Sequence, residues 1–300
     1  MAFKRSGENS PTSFRGGSLL DLRPAGGDPQ SISFSSQGLK IAADLYEAAR
    51  NGPCILLLHG THELGRKQPV MLALAANFHK LGYTVLALDF RGYNDSEDPP
   101  TVLSLKDLDF AQDAISGLDY LTRHASVNPS KIFIVGHSFG AGVALEVIQR
   151  DARAAKLVLI GPPRRVQQKI LDPSAPTRDY LLTRFARHMR LASIPPVALC
   201  EQSIRKRDIS TYLEDLNARP HIPILLIDGS EEEPADRLFL EDVYQNLSPP
   251  KTYWTVPHSD HYLNTDSIFG HAVYSRRILE PVVLNIDLWL KDGNDSFHFN

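Results

Sequence analysis

The sequence of 300 residues predicts an α/β fold built on a doubly wound, mostly parallel sheet, and three observations carry that reading. Short apolar runs recur at 54–58, 83–88, 132–135, 157–160 and 222–227, as suits parallel strands covered on both faces. Stretches of helical period separate most of them. The run Ile132, Phe133, Ile134, Val135 passes directly into Gly136, His137, Ser138, Phe139 and Gly140, after which Ala141, Val143, Ala144, Leu145, Val147 and Ile148 continue at helical spacing. That order is strand, tight turn, helix.

Taken from the N-terminus, residues 1–30 are rich in Gly, Ser, Pro and Asp without a sustained apolar period, and the expectation is a flexible tail. Ile32 to Ser35 and Leu39 to Tyr46 alternate about Gln37 and Gly38, predicting an antiparallel N-terminal hairpin at a sheet edge. Cys54 to Leu58 opens the parallel part, Val70 to Leu81 reads as a helix, and Tyr83 to Leu88 as a strand ending at Asp89, Phe90, Arg91 and Gly92. Leu105 to His124, with apolar Leu108, Ala111, Ile115, Leu118 and Leu121, predicts one long amphipathic helix, which Asn128 and Pro129 separate from the next strand. After Leu157 to Ile160 the alternation breaks, and 162–220 is too long for a plain connection. Helical patterns around 180–191 and 210–216 mark it as a helical insertion. Strands then follow at 222–227 and 252–256, with helices at 235–247 and 277–290. The chain divides into the tail and one domain over 31–300.

With 42% hydrophobic residues the chain can bury a large core. The net charge of −3 gives no reason to expect nucleic-acid binding. Two cysteines, Cys54 and Cys200, are too few for a disulfide framework, and a cytoplasmic, reducing compartment is expected. No run approaches the ~18 apolar residues of a membrane helix, and the first residues lack the apolar core of a signal peptide. The insertion carries eleven Lys and Arg against six Asp and Glu. Arg184, Arg187 and Arg190, three residues apart, form either a solvated face or a surface that favours anions.

Ser138 stands out chemically. A serine at so tight a reversal is forced into a strained backbone, and the helix behind it begins with unpaired N–H groups and a positive dipole end. Negative charge developing beside it is stabilised by the fold, so Ser138 is the candidate nucleophile.

At GxSxG in this context the sequence resembles the α/β-hydrolase family, and the likeness extends from about Ile32 to about Leu290. The resemblance implies an α/β-hydrolase fold with the insertion as a cap over the active site. It also implies a triad in the order Ser, acid, His. The base is then His261, in the loop Asp260, His261, Tyr262, Leu263, with His258 as the first alternative, while the geometry of the turn points His137 away from Ser138, to a packing or pocket-wall role. The oxyanion hole is implied at the backbone N–H groups of Phe139 and of Thr61, with His62 as alternative, in a turn resembling the family's HGxx. The acid is Glu232, three residues beyond Gly229 in a GxxD-like pattern, with Glu231, Glu233, Asp236, Asp228 and Asp260 still open. Arg91 is expected to tie loops together. The implied activity is that of a serine hydrolase cleaving carboxylic esters, with no cofactor, no metal and a small acyl substrate as partner. Peptidase, amidase or acyltransferase chemistry on the same residues, or a non-catalytic ligand-binding role, are the alternatives.

Overall fold

The computed structural model describes residues 28–48, 50–165, 168, 169, 178, 196–218, 222–248, 250–268 and 271–292. Most of the expected tail, the expected helix around 180–191 and Arg184, Arg187 and Arg190 lie outside these residues. An eight-stranded sheet organises the rest, in the order β1-β2-β4-β3-β5-β6-β7-β8. β1 (Gln30–Ser36) and β2 (Leu39–Tyr46) form the antiparallel hairpin, and β2 runs antiparallel to β4 (Thr84–Leu88). β3 (Gly52–Leu58), β4, β5 (Val127–His137), β6 (Lys156–Ile160), β7 (Ile224–Gly229) and β8 (Lys251–Val256) are parallel.

Successive side chains on a strand face opposite ways, which explains why the runs are apolar throughout. Leu56, Leu58 and Ile134 enter one core with α2 (Phe110–Arg123) and α3 (Phe139–Arg150). Ile55, Leu57 and Val135 enter the other with α1 (Pro69–Lys80) and α7 (Arg276–Asp292). Each core buries aliphatic surface that contributes ~25 cal/mol per Å².

Several elements differ from the sequence reading. The single helix expected from Leu105 is broken into a 3₁₀ turn (Leu105–Leu108) and α2, because the Asp109 side chain accepts from Gln112 N at 3.1 Å and so caps a new start. β5 begins earlier, at Val127, and its register with β3 shifts between Gly52 and Cys54, where Pro129 need not donate to the ladder. A small hairpin, β9 (Thr265–Ile268) and β10 (His271–Tyr274), lies against α1 between β8 and α7.

Between β6 and β7 the described part of the insertion holds α4 (Val197–Arg205), a 3₁₀ turn (Ile209–Tyr212) and α5 (Leu213–Ala218). Arg207 seats it. This buried guanidinium pairs with Glu146 of α3 at 3.3 Å, donates to the Leu108 carbonyl at 3.2 Å, and lies 5.2 Å from the centre of the Phe139 ring. The pair is buried, so losing Glu146 would leave the Arg207 charge uncompensated at a cost of about 3–5 kcal/mol, whereas Glu146 is also faced by Lys206 and Arg150. After β7, α6 (Pro234–Asn246) starts with Pro at its first position.

Candidate active site

The carboxyl ends of β3, β5, β6, β7 and β8 meet around a cavity of about 270 Å³ whose wall includes Thr61, Ser138, Phe139, Glu232, His261 and Tyr262. Ser138 occupies the turn between β5 and α3 with φ 53° and ψ −120°. A β-carbon is strained there, at a cost of order 1–3 kcal/mol, and the turn is held by the Ser138 N–H bond to the Ile160 carbonyl at 2.8 Å. Although it occupies the N-cap position, its hydroxyl makes no capping bond to α3, so the conformation leaves the hydroxyl to the cavity.

Glu232 and His261 are brought together. His261 Nδ1 donates to Glu232 Oε1 at 2.6 Å, which fixes the tautomer and leaves Nε2 as the basic nitrogen. Glu232 sits in a tight turn, its N–H bonded to the Gly229 carbonyl, while Glu231 and Glu233 on either side are exposed. Burial alone would raise the Glu232 carboxyl, but the hydrogen bond from His261, and the charges of His261 and Arg164, outweigh it and hold it down at about 2. Gly161, at φ +53°, passes beneath the imidazole: a methyl group there would stand 2.9 Å from His261 Cε1.

The other candidates fall elsewhere. His258 is exposed, and its N–H bonds to Ser230 Oγ. Asp260 accepts from the N–H groups of Tyr262 and Asn264 and so shapes the loop that carries His261. Asp236 pairs with Lys169 at 2.6 Å and Arg165 at 3.4 Å. Asp228 pairs with Arg164 at 3.0 Å. His137 is buried, lines the cavity and donates from Nε2 to the His261 carbonyl at 2.8 Å.

The turn after β3 approaches Ser138 so closely that a methyl group on Gly60 would lie 3.1 Å from Ser138 Cβ. His59 Nδ1 donates to the Gly60 carbonyl at 2.6 Å, and its Nε2 accepts from the Phe90 N–H at 3.0 Å. Burial pushes the His59 imidazole down to about 4, so it stays neutral. Because the peptide is planar and trans, fixing the Gly60 carbonyl also fixes the Thr61 N–H, which points the opposite way. Thr61 is in the cavity wall. Arg91 forks onto Asp113, with Nη2 at 2.7 Å and Nε at 3.0 Å, and ties the loop after β4 to α2.

Sequence reasoning did not single out Arg164, whose Nη2 lies 3.0 Å from both Asp228 Oδ1 and Glu232 Oε2. Only the adjacency of β6 and β7 brings these loops together, and no local motif marks it. Gln68, which lines the cavity just before α1, was likewise without a signal. Among the described residues no group of three or more His, Cys, Asp or Glu is arranged to hold a metal ion, and no helix is long and apolar enough to cross a membrane.

A serine at a left-handed strand-to-helix turn, with an imidazole and a carboxylate from the loops after β8 and β7, defines a class of α/β folds. Residues 55–269 match the model of the alpha/beta hydrolase family, and the chain belongs to that family. It is 31% identical over 173 residues to a polyketide transferase of Stachybotrys chlorohalonatus, covering 57% of this chain and 56% of that protein. It is 32% identical over 189 residues to an AB hydrolase superfamily protein of Bacillus subtilis, covering 62% and 61%. The alignments therefore span little more than half the length of these relatives. Among solved structures, a soluble variant of the Saccharomyces cerevisiae monoglyceride lipase in complex with a substrate analogue superposes with a TM-score of 0.63 at 15% identity, covering 91% of this chain and 97% of that one. At such identity the likeness speaks for the fold alone.

Proposed function

We propose that the protein is a serine hydrolase that cleaves carboxylic esters through an acyl-enzyme. The observation that carries this reading is the 2.6 Å bond from His261 Nδ1 to Glu232 on the wall of the cavity that also holds Ser138. Ser138 Oγ attacks the ester carbonyl while His261 Nε2 takes its proton, and Glu232 orients the ring and stabilises the imidazolium. The N–H groups of Phe139, at the start of α3, and of Thr61 receive the oxyanion. His261 returns the proton to the leaving alcohol, and water, activated by the same nitrogen, releases the acid. The insertion over 162–220 acts as a cap, a reading supported by Ile204 of α4 in the cavity wall. No step needs a cofactor.

A second reading, acyl transfer to an alcohol or amine, uses the same acyl-enzyme and is favoured by the 31% identity to a polyketide transferase. Labelling with a fluorophosphonate probe, followed by turnover of p-nitrophenyl esters of graded acyl length, tests the first. A folded protein that is neither labelled at Ser138 nor active on any ester would overturn it. Measuring the partition of the acyl group between water and an added alcohol separates the two readings.

A further inference from the structure

We propose that Arg164 and Asp228 are positioning residues that set the basicity of His261 through Glu232. The proposal rests on the serine hydrolase reading for its catalytic meaning, but its geometry stands apart from it.

Four side chains from three neighbouring strand ends form one line. Asp228 Oδ1 accepts from Arg164 Nη2 at 3.0 Å, the same Nη2 lies 3.0 Å from Glu232 Oε2, and Glu232 Oε1 accepts from His261 at 2.6 Å. Arg164 and Asp228 are both buried, at 6% and 1% exposure. The line is also incompletely satisfied, since Asp228 Oδ2 and Arg164 Nε have no hydrogen-bond partner. Arg164 and Asp228 are shut off from water while Glu232 and His261 reach the cavity, so the inner pair acts on Glu232 through a medium of lower dielectric than water.

Charge balance gives the line its effect. One guanidinium faces two carboxylates, so with neutral His261 the cluster carries a net charge of −1. When His261 takes the proton of Ser138, the cluster becomes neutral. A buried cluster is stabilised by reaching neutrality, and the second carboxylate therefore favours the imidazolium formed during the reaction. Arg164 opposes it, and by holding Oε2 keeps Oε1 turned to the imidazole. Burial lifts Asp228 to about 6 against the pull of Arg164 and with the push of Glu232, so the second carboxylate is charged in neutral solution and lost in mild acid. The remaining ionisable groups around the line are His137 on β5, whose buried ring stands 5.1 Å from that of His261 and is held neutral, Tyr262 beside His261, Tyr253 on β8, which interacts with Asp228, and Asp236 on α6, already tied to Lys169 and Arg165.

The two residues thus push in opposite directions, which a purely structural role would not do. In D228N the cluster is neutral before proton transfer and cationic after it, so His261 becomes a weaker base. In R164Q two carboxylates remain uncompensated, and His261 becomes a stronger one. The test is an NMR titration of the His261 ring in a Ser138→Ala background, alone and with D228N, R164Q or R164K, alongside the acid limb of kcat/KM in the enzymes that retain Ser138. The expected shifts are about half a unit to one unit down for D228N, the same amount up for R164Q, and a smaller rise for R164K, as removing one nearby partly buried charge implies. Shifts of the same sign, or none, overturn the proposal. If D228N or R164Q does not fold, the other decides by the sign of its shift; if neither folds, R164K decides, because it keeps the charge but not the planar nitrogen that touches both carboxylates, and an unmoved His261 titration refutes the assignment. Because the NMR readout needs no turnover, it separates this proposal from a failure of the esterase reading, which would appear as a normal titration pattern in an inactive protein.

Discussion

His137 Nε2 donates to the main-chain carbonyl of His261 across 2.8 Å. The residue before the candidate nucleophile thereby holds the loop that carries the candidate base, and the two rings stand 5.1 Å apart. Burial, reinforced by the neighbouring His261, pushes the His137 imidazole down to about 3. A histidine held neutral in this way makes stability depend on pH.

Between the ordinary value near 6.5 and about 3, the unfolded chain binds a proton at His137 that the folded chain does not. The contribution is present in full above 6.5 and is lost as pH falls, by about 1.4 kcal/mol per pH unit for one ring. His59 adds a second loss that ends near 4. His137→Gln is expected to flatten the fall in unfolding free energy by about 1.4 kcal/mol per unit, measured by urea denaturation at pH 6.5, 5.5 and 4.5. An unchanged slope would refute the assignment.

Glu232→Gln is expected to lower kcat by about 10⁴, as for an Asp-to-Asn change in a serine protease triad. Glu231→Gln and Glu233→Gln, at exposed positions, should stay within about twofold of the parent, as surface changes usually do. Steady-state kinetics on one ester compares all three, and a near-normal Glu232→Gln enzyme would remove Glu232 from the mechanism.

Replacing Ser138 separates chemistry from strain. Ser138→Ala should lose on the order of 10⁴ to 10⁶ in rate. Ser138→Gly should lose as much activity yet be more stable than the alanine variant by about 1 kcal/mol, since glycine tolerates a positive φ and the turn sits at φ 53°. Chemical denaturation of the two variants checks this, and a less stable glycine variant would contradict the strain argument.

Gly161→Ala would drive a methyl group to 2.9 Å from His261 Cε1 at a backbone φ of +53°. Displacing the imidazole by a fraction of an ångström to one ångström is expected to cost up to about 10² in kcat, together with a lower Tm. Slower fluorophosphonate labelling in a folded variant would locate the loss at the base, whereas unchanged labelling would show that the loop accommodates the methyl.

The buried strands were legible because each apolar run feeds two cores, as Leu56 and Leu57 do on opposite faces of β3. The turn at Ser138 was legible for a local reason: its glycines and the flanking strand and helix lie within twenty residues. The β9–β10 hairpin was not, since Asp266, Ser267 and Ile268 are exposed and a ribbon lying on the surface needs no apolar alternation. Nor was the break before α2, where Asp109 capping overrides a continuous amphipathic period. For the site, the family resemblance pointed to Glu232 and His261, but Arg164 depends on two loops meeting across β6 and β7, and tertiary adjacency leaves no mark in local sequence.

Arg207 bears on how this chain can be recombined with its relatives. It lies in the segment between β6 and β7, yet its guanidinium is held by Glu146 on α3 and by the Leu108 carbonyl, and it rests on Phe110 and Phe139. The segment is therefore not a detachable module whose borders coincide with its sequence ends. A chimera that exchanges residues 166–195 keeps this anchorage with the host. One that exchanges 162–220 without transplanting the recipient surface at Glu146 takes Arg207 and Lys206 away from that buried carboxylate, leaves it only Arg150 at 3.6 Å, and removes the support from beneath Phe139. Crossover points for engineering new specificity belong before Pro196, and the stretch from there to Leu216 should travel with α3.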